Sequence, residues 1–92
     1  MMVEKLEAGR IVRSVAGHDA GSFYAVVDIR EGFCYIADGH LRKLESPKKK
    51  NPAHLRLTDA AVDLTQVCTN RQLAAALRPY NTPEGGTAFG QR

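Results

Sequence analysis

Two apolar runs separated by a three-residue spacer constrain the fold of this chain more than any other feature. The first, Phe23–Ile29, and the second, Phe33–Ala37, are rich in β-branched and aromatic residues, which favour strands. The spacer Arg30-Glu31-Gly32 is short enough for a tight turn, so we predict an antiparallel hairpin. Alternate residues of the first run are all apolar and are predicted to face inward: Phe23, Ala25, Val27 and Ile29.

The flanking segments predict further short strands and turns. Residues 10–15 favour a strand, and residues 16–22 favour a turn in which Gly17 and Gly21 allow positive φ and Asp19 bonds its own backbone. Asp38-Gly39 predicts a second turn. Short strands are then expected at Leu41–Leu44 and at Leu55–Leu57, whereas residues 61–64 fit either a helical turn or a strand.

The C-terminal third predicts one helix and a tail. Thr69 and Gln72 match a capping box, Leu73 and Leu77 form a narrow apolar stripe, and Pro79 is expected to end the helix. With 92 residues, the chain has room for one domain. We therefore predict a mainly β fold, a small closed barrel over residues 1–67, with a short docking helix over 68–79 and a disordered tail over 80–92.

Basic residues are concentrated in one segment. Residues 40–56 carry a net charge of +5, whereas the rest of the chain carries −2. Pro47 and Pro52 bracket the lysine run of this segment, which predicts an exposed loop over residues 46–52 rather than a central strand. Such a basic segment is typical of proteins that bind polyanions, although a solvated loop that maintains solubility has the same composition.

Several functional classes are not supported by the sequence. Cys34 and Cys68 are too few and too far apart for a disulfide framework or a zinc site, and we expect Cys34 to be a buried thiol. Neither a phosphate-binding glycine loop nor a nucleophile elbow occurs, so we expect no enzyme activity, cofactor or metal. Apolar runs are too short to cross a membrane, and the first five residues do not resemble a signal peptide, which predicts a cytoplasmic protein. Nothing in the sequence demands a dimer, so we expect a monomer.

The candidate RNA contacts are of two chemical kinds. Lys48, Lys49, Lys50 and Asn51 offer charge and polar groups to phosphates, whereas Arg42 and Arg56 offer planar guanidinium groups for bidentate contacts. Arg10 and Arg13 are three residues apart in a predicted strand and therefore point to opposite faces. Three aromatic residues fit either base stacking or the core, namely Phe23, Tyr24 and Tyr35.

The order of these segments resembles a known family. Gly9-Arg10-Ile11-Val12, the turn 16–21 and Tyr24–Ile29 are similar to a KOW motif, a glycine-centred segment of SH3-like barrels in ribosomal proteins and transcription elongation factors. The continuation through Ile36–Gly39 and the basic segment 37–52 resembles the fourteen-e family of large-subunit ribosomal proteins and its small bacterial KOW-type relatives.

The resemblance covers about residues 6–58 and implies an SH3-like barrel whose Gly17–Gly21 turn and adjoining loops contact RNA. The implied partners are ribosomal RNA and the large ribosomal subunit. The alternative is an SH3-like module that binds a protein of the transcription or translation machinery. The candidate RNA-binding residues are Arg10, Arg13, His18, Arg42, Lys43, Lys48, Lys49, Lys50, Asn51 and Arg56.

Overall fold

The predicted hairpin forms the middle of a five-stranded antiparallel sheet in the computed structural model, which describes residues 6–81. The strands lie side by side in the order β4-β3-β2-β1-β5. A 3-10 turn, Pro52–His54, precedes the last strand. The elements in chain order are β1 (Arg10–Ser14), β2 (Phe23–Arg30), β3 (Phe33–Ala37), β4 (Lys48–Lys50), β5 (Leu55–Ala61) and the helix α1 (Asn70–Asn81).

The turn between β2 and β3 has two residues, Glu31 and Gly32, with φ of 52° and 82°. Positive φ at both positions is the geometry of a type I′ turn, whose twist matches that of the flanking strands. The prediction of a tight hairpin is therefore confirmed, and so is the prediction of a mainly β fold.

Both faces of β2 are buried near its start, which contradicts the prediction of a single inward face. Tyr24 and Val26 are 3% and 0% exposed and contribute to one apolar cluster, and Ala25 contributes to a second cluster on the opposite face. The second cluster exists because Leu73 and Leu77 of α1 cover that face. A register shift between Val26 and Asp28 interrupts the alternation. Ile29, predicted to be buried, is 37% exposed.

Helix α1 begins as predicted and continues past its predicted end. Thr69 Oγ1 accepts the Gln72 backbone N–H at 3.1 Å, and Gln72 Oε1 accepts that of Thr69 at 3.1 Å, which confirms the capping box. Pro79 lies inside the last turn. The helix continues because Asn81 Oδ1 accepts the Phe23 N–H at 2.9 Å and its Nδ2 donates to the Phe23 carbonyl at 3.2 Å. Residues 82–92 of the predicted tail lie outside the described residues.

The lysine run is a strand, not the exposed loop that its flanking prolines predicted. Lys48–Lys50 pairs with β3, with Tyr35 opposite Lys49. Pro47 and Pro52 lie outside these three residues and leave the pairing N–H groups intact, as an edge strand requires. Conversely, residues 41–44 form a turn instead of the expected strand, because Asp38 Oδ1 accepts the N–H groups of residues 40 and 42 at 2.9 and 2.8 Å.

The two edges of the sheet are close in sequence, since only residues 51–54 separate β4 from β5. A flat five-stranded sheet would hold its edges about 19 Å apart, so this short connection requires a strongly curved sheet. Within residues 6–81, β4 and β5 do not pair, and the sheet is open rather than the closed barrel predicted for residues 1–67. No helix in this part of the chain is long and apolar enough to cross a membrane.

Candidate nucleic-acid interface

The topology collects cationic side chains at one end of the sheet, which we call the basic end. There β1 and β3 finish, β2, β4 and β5 begin, and the last turn of α1 packs nearby. Nine basic side chains lie on these segments and on the loops that join them at this end: Arg13, His18, His40, Arg42, Lys43, Lys48, His54, Arg56 and Arg78. Most of the acidic residues among residues 6–81 lie toward the opposite end of the sheet: Glu7, Asp28, Glu31, Asp59 and Asp63. The charge asymmetry seen along the sequence is thus also an asymmetry in space.

A groove crosses the basic end between the β1–β2 loop, the β3–β4 loop and α1. It consists of two depressions of about 390 and 310 Å³ that share Ser22, Tyr24 and Leu41. We call it the basic groove, because basic side chains outnumber the two carboxylates that line it, Asp19 and Asp38. The basic side chains are His18, His40, Arg42, Lys48 and Arg78. A groove lined in this way suits an extended anionic polymer better than a small enclosed ligand.

Tyr24 and Leu41 line both depressions of the basic groove. The Tyr24 ring is buried, and burial together with the carboxylates of Asp19 and Asp38 raises the pKa of its hydroxyl, which is hydrogen-bonded to Ser22. This phenol therefore stays protonated at neutral pH. Leu41 is 79% exposed, the most exposed large apolar side chain among the described residues.

Asp19 anchors the loop that forms one wall of the basic groove. Its Oδ1 accepts Lys50 Nζ at 2.9 Å and Ser14 Oγ at 2.8 Å, and its Oδ2 lies 3.4 Å from Lys48 Nζ. Lys50 also donates to the Ala16 carbonyl at 3.1 Å. The prediction that Asp19 bonds its own backbone is wrong, because its carboxylate instead joins the β1–β2 loop to β4.

The protonation of Asp19 follows from these partners. Burial alone raises the pKa of a carboxyl group, but the hydrogen bonds from Lys50 and Ser14 and the positive charge of Lys48 outweigh it. The pKa of Asp19 is held well below its usual range. The carboxylate is therefore ionised at every physiological pH, and it neutralises one of the two lysines that it contacts.

The structure brings some of the predicted RNA-binding residues together at the basic groove, namely His18, Arg42 and Lys48. Arg13 and Arg56 are exposed on neighbouring strands at the same end of the sheet. Lys43 is exposed in the β3–β4 loop.

Other candidates contact groups within the protein. Lys50, expected on an exposed loop, is 8% exposed and paired with Asp19. Arg10 is partly buried and donates to the Thr58 carbonyl at 3.2 Å. Lys49 lies over the Phe33 ring, 4.4 Å from its centroid, and Asn51 caps the 3-10 turn by accepting the Ala53 N–H at 2.9 Å.

The three aromatic candidates for base stacking differ in exposure. Tyr24 is 3% exposed and belongs to the core. Phe23 is half-buried against Tyr80, with ring centroids 5.5 Å apart. Tyr35 is half-buried beneath the Arg30 guanidinium, which lies 4.2 Å from the ring centroid.

The residues of the basic groove that sequence reasoning missed include His40, Leu41 and Arg78. The Asp38-Gly39 turn was the available signal for the first two, because a turn exposes the residues that follow it. Arg78 belongs to the docking helix, and its proximity to the β3–β4 loop depends on tertiary packing. Gly39 makes that packing possible, since a Cβ at this position would meet the Asn70 carbonyl and the Ala74 nitrogen.

No family model and no curated protein matches this chain. The arguments about function therefore depend on the geometry and charge of the basic end.

Proposed function

We propose that this protein is a non-enzymatic RNA-binding module of the SH3-like KOW type, and that RNA binds along the basic groove. The observation that carries the proposal is the convergence of three cations on one groove at one end of the sheet: Arg42 from the β3–β4 loop, Lys48 from β4 and Arg78 from α1. Lysine and arginine at such a surface attract the phosphate backbone and release its condensed counterions. The strongly curved, five-stranded antiparallel sheet supports the SH3-like barrel that the sequence resemblance implies.

The proposed partner is ribosomal RNA within the large ribosomal subunit, and the support for it is the sequence resemblance alone. Sedimentation of the tagged protein from a lysate tests it, in sucrose gradients at low and high salt. We expect sedimentation with the large subunit at low salt and release at high salt or after nuclease treatment. A protein that stays at the top of every gradient would contradict the ribosomal partner and leave binding to free RNA to be measured separately.

Arg42 offers the sharpest test of the groove, because its guanidinium is exposed and its loop is held by backbone contacts to Asp38. We expect Arg42→Gln to reduce the slope of log affinity against log salt by about 0.7 for single-stranded RNA. Arg71→Gln is the matched control, since Arg71 is an exposed arginine in the first turn of α1 and does not line the groove. Equal slopes for the two variants would exclude the basic groove as the RNA site.

One observation favours a second candidate function, the binding of a protein partner. Leu41 is 79% exposed in the middle of the basic groove, where an apolar pocket on a partner could cover it. We expect Leu41→Asn to abolish a nuclease-resistant protein complex if this candidate is correct. A complex that resists nuclease and forms equally well with this variant would contradict the candidate.

A further inference from the structure

Arg13 and Arg56 face each other directly across neighbouring strands. They are register partners in the antiparallel pairing of β1 with β5, and both side chains are exposed. Directly opposed residues have Cβ atoms about 4.5–5.5 Å apart on the same face of a sheet. The two arginine side chains therefore leave the sheet side by side, and within residues 6–81 neither forms an ion pair with a carboxylate.

Like charges in this arrangement destabilise a sheet. Folding alone does not explain the pair, because a neutral or acidic residue at either position would remove the repulsion. An anion bound between the two guanidinium groups would turn the repulsion into attraction. Each guanidinium presents a planar set of donors that matches a phosphate, and one phosphate has enough oxygens to accept from both.

We propose that Arg13 and Arg56 together bind one phosphate group of the RNA backbone, so that the interface extends from the basic groove onto the outer face of β1 and β5. This inference rests on the proposed RNA-binding function, which it deepens by assigning a phosphate site. The backbone that carries the pair is fixed, because the Val15 N–H donates to the His54 carbonyl at 2.9 Å and joins the adjoining ends of the two strands.

The neighbours of the pair connect it to the basic groove. On its other side Arg13 is the register partner of Phe23, which directly follows Ser22 of the groove wall. Tyr80 packs against Phe23 and is 38% exposed. A nucleotide chain that leaves the groove past Ser22 therefore meets an aromatic surface and then the two arginines, which suits alternating bases and phosphates.

The test compares single substitutions of the pair with the Arg71→Gln control, using a labelled twelve-nucleotide oligouridine as the probe. We expect Arg13→Gln and Arg56→Gln each to weaken binding several-fold and to lower the salt slope by about 0.7, with the control unchanged. At low salt, both single variants should melt at or above the temperature of the native protein, because each removes the like-charge repulsion. Unchanged affinity and slope in both variants would overturn the phosphate site.

A second measurement separates this inference from the proposed function. Titration with inorganic phosphate should shift the Arg13 and Arg56 Nε–Hε signals in a nitrogen–proton NMR spectrum and leave the Arg71 signal in place. If the native protein binds no RNA but these signals shift, the proposed function fails and the anion site stands. If RNA binds and these signals do not shift, the anion site fails and the function stands. Displacement of the RNA by oligoglutamate, through the same two arginines, would assign the site to an acidic peptide and overturn the RNA phosphate.

Discussion

The ammonium group of Lys50 lies 2.9 Å from the Asp19 carboxylate and is almost completely shielded from solvent. This contact joins the β1–β2 loop to the edge strand β4, two segments that are thirty-one residues apart in the chain. A buried ion pair adds little stability relative to an apolar pair, but the loss of one partner leaves an uncompensated charge. The contact therefore has a structural role, which Lys48 shares through its longer contact of 3.4 Å with the same carboxylate.

Lys50→Met tests this role directly. We expect the free energy of unfolding to fall by about 3 kcal/mol, because Asp19 loses its closest cation and the Ala16 carbonyl loses a donor. Urea unfolding measures the change. Lys49→Met is the control, since Lys49 is an exposed neighbour on the same strand. We expect this variant to lose less than about 1 kcal/mol of the free energy of unfolding. Equal losses in the two variants would contradict a special role for Lys50.

Acid should weaken the fold through Asp19. Its pKa is lowered in the folded state, so the stabilisation is complete above its unfolded value of about 3.9 and disappears as the pH falls toward the folded pKa. We expect the native free energy of unfolding to decrease as the pH falls from about 5 to 2. Asp19→Asn should flatten this profile. Asp63→Asn, which removes an exposed carboxyl group with a lowered pKa, should leave most of the pH dependence in place. Parallel profiles for the native protein and the Asp19 variant would refute the assignment.

The local signals in the sequence predicted the central hairpin and the start of α1, because a two-residue turn and a capping box are encoded by adjacent residues. The prediction of an exposed loop at the lysine run was wrong because of a contact between residues distant in sequence. The burial of Lys50 depends on Asp19, which lies in a loop that reaches β4 only when the sheet curves. Hydrophobic alternation likewise could not reveal that α1 covers the second face of β2, as it does through Leu77.

The candidate site likewise has a part that the sequence predicted and a part that depends on tertiary structure. The basic segment 40–56 was evident from composition and supplies Arg42 and Lys48 to the groove. The pairing of Arg13 with Arg56 depends on the register of β1 with β5, which no local pattern specifies. Arg78 depends on the docking of a helix from another part of the chain.

The two cysteines should differ sharply in reactivity. Cys34 is completely buried in β3, and burial raises the pKa of its thiol, so the reactive thiolate is scarce and inaccessible. Cys68 is exposed before α1. We expect an aromatic disulfide reagent to modify one thiol in the folded protein and both in denaturant. Loss of the fast reaction in Cys68→Ser would identify that thiol, and persistence of the reaction would contradict the burial of Cys34.

The β2–β3 turn should tolerate a stabilising substitution. Glu31 has φ of 52°, a conformation that asparagine adopts more readily than glutamate. We expect Glu31→Asn to raise the free energy of unfolding by up to about 1 kcal/mol, measured by thermal unfolding. The control is Glu7→Asn, which makes the same change in charge at an exposed position before β1. A larger gain in the control than in the turn variant would show that charge, and not backbone conformation, is responsible.

Gly39 connects the β3–β4 loop to α1, and its substitution should be more damaging than that of a glycine with the same backbone conformation. Gly39 and Gly32 have similar φ values of 78° and 82°, so alanine strains the backbone equally at both positions. A Cβ at Gly32 meets no atom within 4 Å, whereas at Gly39 it would clash with the backbone of Asn70 and Ala74. We expect Gly32→Ala to cost about 1–2 kcal/mol and Gly39→Ala about 1–3 kcal/mol more, because α1 must move away from the loop. Urea unfolding measures both, and equal losses would mean that the helix accommodates the methyl group without leaving the wall of the basic groove.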